Sequence, residues 1–171
     1  MNNAVILVDQ HDHPIGQLEK LAAHQQGLLH RAFSIFIFNQ QGQLLLQQRH
    51  ADKYHCGGLW TNTCCSHPQP GESVIQAAER RLQEELGFTV PLTHKGHFTY
   101  RAEFDNGLIE HELDHVLVGH SELKNPPFNQ EEIAALKWID IAELKRELEQ
   151  HPQRYTPWLK QALALANGAH K

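Results

Sequence analysis

SHPQPGESVIQAAERRLQEELGF, running from Ser66 to Phe88, is the stretch on which the fold is decided. Pro68, Pro70 and Gly71 interrupt regular structure at its start. Ser73 and Gln76 then stand at capping-box spacing, where each side chain satisfies a backbone N–H of the other residue. Val74, Ala78, Leu82 and Leu86 recur every four residues as one apolar face, and Gly87 is placed to end the helix in the left-handed conformation. Glu72 stands at the entrance, and Arg80, Arg81, Glu84 and Glu85 gather near the end. Carboxylates packed beside guanidiniums in this way ask for more explanation than solubility.

Strands are expected on either side of this helix. Ala4 to Val8 is a short apolar strand, followed by a turn at Asp12-His13-Pro14 and a segment carrying Lys20, His24 and His30. AFSIFIF, Ala32 to Phe38, is aromatic and β-branched, and Asn39-Gln40-Gln41-Gly42 turns it into Gln43 to Gln48 as a predicted hairpin. A loop from Arg49 to Gly58 leads into LWTNTCCSHPQPGES, read as an irregular loop that presents the thiol of Cys65 and the imidazole of His67. Lys95 to Arg101 and Leu108 to Gly119 form a second hairpin through Asp105-Asn106-Gly107. On its second strand Glu110, Glu112 and Asp114 share one face, while His111, Leu113, His115 and Leu117 take the other. Ala135 to Ile139 is a further strand, Asp140 is placed to cap a helix from Ile141 to Gln150, and Thr156-Pro157 opens a last helix. The fold class is α/β of the α+β kind, a mixed sheet flanked by helices, with one domain over 1–171.

Composition narrows the function. The 171 residues carry 15 Lys plus Arg against 20 Asp plus Glu, a net charge of −5, which disfavours nucleic acid and anionic membranes as partners. No stretch approaches the ~18 apolar residues of a membrane span, and Ala4 to Val8 lacks the basic start of a signal peptide, so the expected location is cytoplasmic. Three cysteines, two of them adjacent, make no disulfide framework. Fourteen histidines are the compositional anomaly, because imidazole is the usual nitrogen ligand of transition metals.

From Ser66 to Phe88 the chain resembles the Nudix box, with Glu72, Arg80, Leu82, Glu84, Glu85, Gly87 and Phe88 in register. Ser66 replaces the leading Gly, and Arg81 replaces the first Glu of the box pair. Such helix carboxylates hold Mg²⁺, which holds a diphosphate. TNTCCSHPQPGES is further similar to the Thr-Asn-x-x-Cys-x-His-Pro segment of type 1 isopentenyl-diphosphate isomerases, a Nudix branch. LEKLAAH, LLHRAFS, YRA, GLIEHE and TPW follow the same family's order, so the resemblance covers roughly residues 3 to 160.

The resemblance implies a Nudix fold and the interconversion of isopentenyl and dimethylallyl diphosphate, a small-molecule reaction of isoprenoid synthesis. Moving the alkene needs an acid and a base on opposite faces of the carbon skeleton, in a site that keeps water from the carbocation. By analogy these are Cys65 and Glu112, with Tyr100 beside Glu112 and Trp158 offering its π face to positive charge. The family's metal ligands correspond to His24, His30, His67, Glu110 and Glu112, a shell suited to Mn²⁺, Mg²⁺ or Zn²⁺. Lys20, Arg49, Lys53 and Arg81 correspond to its diphosphate clamp, aided by Mg²⁺ at Glu85. A monomer is expected. Three departures stand out: a His24 to His30 gap one residue short, Cys56-Gly57 in place of an aromatic and Pro, and Asp114-His115 in place of Cys-Pro. The alternatives are a Nudix hydrolase of a nucleoside diphosphate derivative, which Arg81 argues against, and a silent diphosphate-binding module, which would need neither Cys65 nor Glu112.

Overall fold

A computed structural model describes residues 4–51 and 56–168. The elements run β1 Ala4–Val8, β2 Pro14–Glu19, α1 Lys20–Gln26, β3 His30–Phe38, β4 Leu44–Arg49, β5 Trp60–Thr61, β6 Cys64–Ser66 and α2 Val74–Leu86. They continue with β7 Thr93–Glu103, β8 Ile109–His120, β9 Ile133–Ile139, α3 Ile141–Gln150, a 3₁₀ turn Pro152–Arg154 and α4 Leu159–Gly168. The strand β2 and helix α1 lie where the sequence showed only a segment bearing Lys20 and His24. Glu19 starts α1, accepting from the backbone N–H groups of Leu21 and Ala22.

The nine strands among the described residues belong to one mixed sheet. Its centre is β3, which pairs in parallel with β8 from His30 opposite Glu112 to Phe38 opposite His120. Strand alternation then sorts the side chains. Phe33, Ile35, Ile37 and Leu117 pack with Leu82 and Leu86 of α2. Phe36, Phe38, Val116 and Val118 pack on the other face with Leu144 of α3 and Leu159 and Leu163 of α4. Both faces of the sheet are therefore covered, and its central strands are buried from Ala32 to Phe38 and from Glu112 to Gly119.

The helix α2 forms as its sequence dictates, with both bonds of the Ser73–Gln76 capping box present and Gly87 at φ 72° closing the end. An added Cβ at Gly87 would stand 2.8 Å from Pro127 Cγ. Gly87→Ala is accordingly expected to cost about 1–3 kcal/mol, from the left-handed backbone and the contact together, read as a lower denaturant midpoint.

Two local expectations are corrected. The predicted hairpin of Ala32 to Phe38 with Gln43 to Gln48 pairs only at Phe38 opposite Leu44. Beyond the turn β4 leaves β3 and pairs with β9 and β5, so the two strands open as a wedge. Asp140 does occupy the cap position of α3, but its side chain makes no capping hydrogen bond.

Candidate active site

The wedge between β3 and β4 builds the site. Backbone groups that would have paired across a hairpin need other partners, and Thr61-Asn62-Thr63 supplies them with side chains. Thr63 Oγ1 donates to Leu45 O at 2.7 Å and accepts from Ile37 N at 3.0 Å. Asn62 Nδ2 donates to Ile35 O at 3.0 Å and to Cys64 O at 3.1 Å. Held in this way, Cys64 to Ser66 pairs with β3, placing Cys65 opposite Ser34. The expected irregular loop is therefore a short strand at its key residue. Alternation along it turns Cys65 toward the cavity and buries Cys64 against α2, where its thiol donates to Glu85 at 3.4 Å.

A cavity of about 950 Å³ opens at the wedge, and Cys65, Glu112, Trp158, Lys20, Arg49, Arg81, Glu85 and Glu110 all line it. The Cys65 thiol donates to Asn62 Oδ1 at 3.1 Å and lies 3.7 Å from Ser34 Oγ. Burial, with Asp114 nearby, pushes this thiol up to about 12, so it rests protonated. Tyr100 stands opposite Glu112 in the β7–β8 register and meets the Trp158 ring edge-on at 5.9 Å. Its hydroxyl is buried and has no hydrogen-bond partner among the described residues. Arg49 lies over the Trp158 ring at 5.7 Å.

His24, His30, His67 and Glu112 form the one cluster among the described residues whose donor atoms, one from each, all fall within 4.8 Å of one another. The elements explain the convergence. The helix α1 delivers His24, the start of β3 delivers His30, and the parallel register sets His30 beside Glu112. His24 Nδ1 donates to Lys20 O at 2.7 Å and His30 Nδ1 to Leu28 O at 2.9 Å. Each ring is thereby oriented by a backbone carbonyl, leaving Nε2 for the cluster. His67 Nε2 lies 2.8 Å from Glu112 Oε2 and His30 Nε2 3.5 Å from it, while Glu110 approaches His24 at 4.0 Å. Burial opposes ionisation of Glu112, but the imidazoles outweigh it and hold the carboxyl well below the usual range. Burial drives His67 down to about 3, whereas at His30 the Glu112 contact overcomes burial and raises it. Three imidazole nitrogens and a carboxylate, mutually close and largely shielded from water, fit a divalent metal.

The Nudix-box residues lie on another wall. Glu72 takes a bidentate pair from Arg80 at 2.7 and 2.9 Å. Arg81 reaches Glu84 at 2.6 Å, Glu85 at 2.7 Å and Glu132 at 2.6 Å. Glu85 also accepts from Gln47 at 3.2 Å and stands apart from the histidine cluster. Lys53 lies outside the described residues. Sequence reasoning overlooked Asn62, Ser34 and Gln47. It left Asp114 without a role, although Ser34 Oγ donates to both Asp114 oxygens at 3.0 and 2.8 Å. The available signal was the TNT run itself, three consecutive polar side chains that are all fully buried.

The sheet between α2 and the C-terminal helices, with charged box residues at the cavity mouth, defines a Nudix protein, and a NUDIX domain family model matches residues 28–160. Two solved structures share the fold. One is a Deinococcus radiodurans protein (TM-score 0.78, 20% identity, covering 95% of this chain and 98% of that one). The other is a MutT protein from Methanosarcina mazei (TM-score 0.66, 16% identity, covering 84% and 96%). Among curated proteins, isopentenyl-diphosphate Delta-isomerase 2 of Aromatoleum aromaticum is 49% identical over 163 residues, 95% of this chain and 86% of the relative. The isopentenyl-diphosphate Delta-isomerase of Serratia proteamaculans is 52% identical over 158 residues, 92% of this chain and 88% of the relative. The chain belongs to the isopentenyl-diphosphate Delta-isomerase family.

Proposed function

We propose that this site isomerises isopentenyl diphosphate to dimethylallyl diphosphate by adding a proton at the terminal alkene carbon and removing one from the carbon next to the CH₂–O group. One proton enters and one leaves, so the double bond moves with no change in composition. The observation that carries the reading is that a thiol and a carboxylate, Cys65 and Glu112, line the same cavity as Trp158, whose ring meets Tyr100 edge-on. These two groups exchange the protons, Tyr100 assists Glu112, and the Trp158 face stabilises the cationic carbon. The reaction requires water to be kept from that carbon, which the bound substrate filling the cavity would do.

His24, His30, His67, Glu112 and the nearby Glu110 would hold one Mn²⁺, Mg²⁺ or Zn²⁺, whose charge would orient Glu112 and tune its proton affinity. Lys20, Arg49 and Arg81 grip the diphosphate at the mouth, where a Mg²⁺ held by Glu85 would neutralise charge. The enzyme acts on this small molecule as a cytoplasmic monomer, without nucleic acid or membrane; no helix among the described residues is long and apolar enough to cross a bilayer.

NMR of the purified protein with isopentenyl diphosphate and Mg²⁺ in D₂O tests the reading. Dimethylallyl diphosphate carrying deuterium is the expected product. Unchanged substrate from protein with a verified metal complement would overturn the reading.

A further inference from the structure

We propose that Asn62 is a positioning residue of the active site, one carboxamide oxygen of which sets the Cys65 thiol and the Trp158 indole relative to each other. This rests on the reading of Cys65 and Trp158 given above. The orientation of the amide is fixed, because Ile35 O and Cys64 O can only accept and so both face Nδ2, at 3.0 and 3.1 Å. Oδ1 must then point the other way. There it accepts from Cys65 Sγ at 3.1 Å, from Thr61 Oγ1 at 2.9 Å and from Trp158 Nε1 at 3.4 Å.

This oxygen joins two parts of the chain that are distant in sequence. Cys65 is carried by β6, whereas Trp158 stands just before α4. The segment leading to Trp158 is itself anchored beside Asn62. Thr156 Oγ1 donates to Thr61 Oγ1 at 2.8 Å, and Thr156 N donates to Trp60 O at 3.0 Å. Thr156, Thr61 and Asn62 thus form a chain of donors that ends on the atom holding the thiol. Asn62 and Thr61 are fully buried, so water has no access to replace either contact. A proton-transferring sulfur and a cation-stabilising ring must be held to within a fraction of an ångström, and a misplacement of ~1 Å costs about 10²-fold in rate. Among the described residues no hydrogen bond joins Lys20, Arg49 or Arg81 to this oxygen, and Arg49 meets the assembly over the Trp158 ring at 5.7 Å, so the loss is expected in kcat far more than in KM.

The test compares Asn62→Ala, Thr61→Val and Cys65→Ala, with kcat and KM for isopentenyl diphosphate expressed per folded protein from circular dichroism and thermal melts. Asn62→Ala is expected to lose about 10²-fold in kcat with KM within about threefold of wild type. Thr61→Val keeps the shape and removes one donor to Oδ1, together with the 3.9 Å contact of Thr61 Oγ1 to Cys65 Sγ and the acceptor of Thr156, with an expected loss of about five- to tenfold in kcat. It decides the matter should Asn62→Ala fail to fold. An inactive Cys65→Ala beside Asn62→Ala and Thr61→Val variants at wild-type rates overturns the positioning role alone. So does a loss that appears only in KM or in the folded fraction. A Cys65→Ala variant at wild-type rate instead removes the underlying reading of Cys65.

Discussion

Cys65→Ala and Glu112→Gln are each expected to lower kcat by about 10³-fold or more, with KM for isopentenyl diphosphate within about threefold. The transposition requires a proton to arrive and a proton to leave, and the proposed mechanism gives one of these side chains to each event. Removing either leaves a proton transfer with no positioned donor or acceptor, which water performs poorly. Binding is untouched because the proposed clamp of Lys20, Arg49 and Arg81 involves neither residue. Groups that act as a unit are also strongly non-additive, so the double variant should be little worse than either single one. Deuterium incorporation in D₂O gives the second readout, with none expected in product or recovered substrate from either variant beyond the residual rate. Glu112→Gln needs its metal content measured alongside, because Glu112 belongs to the histidine cluster. A Cys65→Ala variant within tenfold of wild type, with metal intact, would remove the thiol from the mechanism.

What the sequence made legible was local. The helix α2 was readable because its cap, its apolar period and its terminating Gly87 are all encoded within a few residues. The second hairpin was readable for the same reason, since Asp105-Asn106-Gly107 fixes the turn between β7 and β8. The first hairpin failed because partner choice for β4 is decided at a distance by β9, which offers a six-position ladder from Leu44 opposite Ile139 to Arg49 opposite Ile133. That failure hid the wedge, and with it the reason for the buried Thr61-Asn62-Thr63 run. The ligand types His24, His30, His67 and Glu112 were available only through family resemblance. Their convergence depends on a parallel register between strands some eighty residues apart, which no spacing encodes. Parity accounts for two residues that adjoin the cavity-lining Cys65 and Asp114 in sequence. Cys64 faces α2 because Cys65 faces the cavity. His115 faces away from Asp114 and bonds instead with His94 at 2.8 Å and Asp12 at 2.9 Å, which absorbs part of the histidine excess outside the site.

Removing divalent metal with a chelator is expected to abolish turnover, and readdition of Mn²⁺, Mg²⁺ or Zn²⁺ to restore it. The structural basis is that His24 and His30 have committed Nδ1 to backbone carbonyls, at 2.7 and 2.9 Å, which presents two preoriented Nε2 atoms. Loss of such a ligand by His24→Ala should weaken metal binding by about 10²-fold or more. At metal concentrations about 100-fold above Kd, binding stabilises the folded state by about 2.7 kcal/mol. For a chain of this size that is a rise in melting temperature of about 5–10 °C, which the His24→Ala variant should lack at the same metal concentration. Proton competition sets the pH dependence. His30 is raised in the metal-free protein, so below that raised value the metal must displace a proton, and log affinity should climb with pH at a slope of about one before levelling above it. His67, driven down to about 3 by burial, is already neutral through this window and adds no slope. Isothermal titration of the metal across pH 5 to 8 measures both quantities, since the proton released at each pH appears as a buffer-dependent heat. A pH-independent affinity would remove His30 as a ligand that gives up a proton to the metal, and full turnover after verified metal removal would show that the histidine cluster holds no metal that the reaction needs.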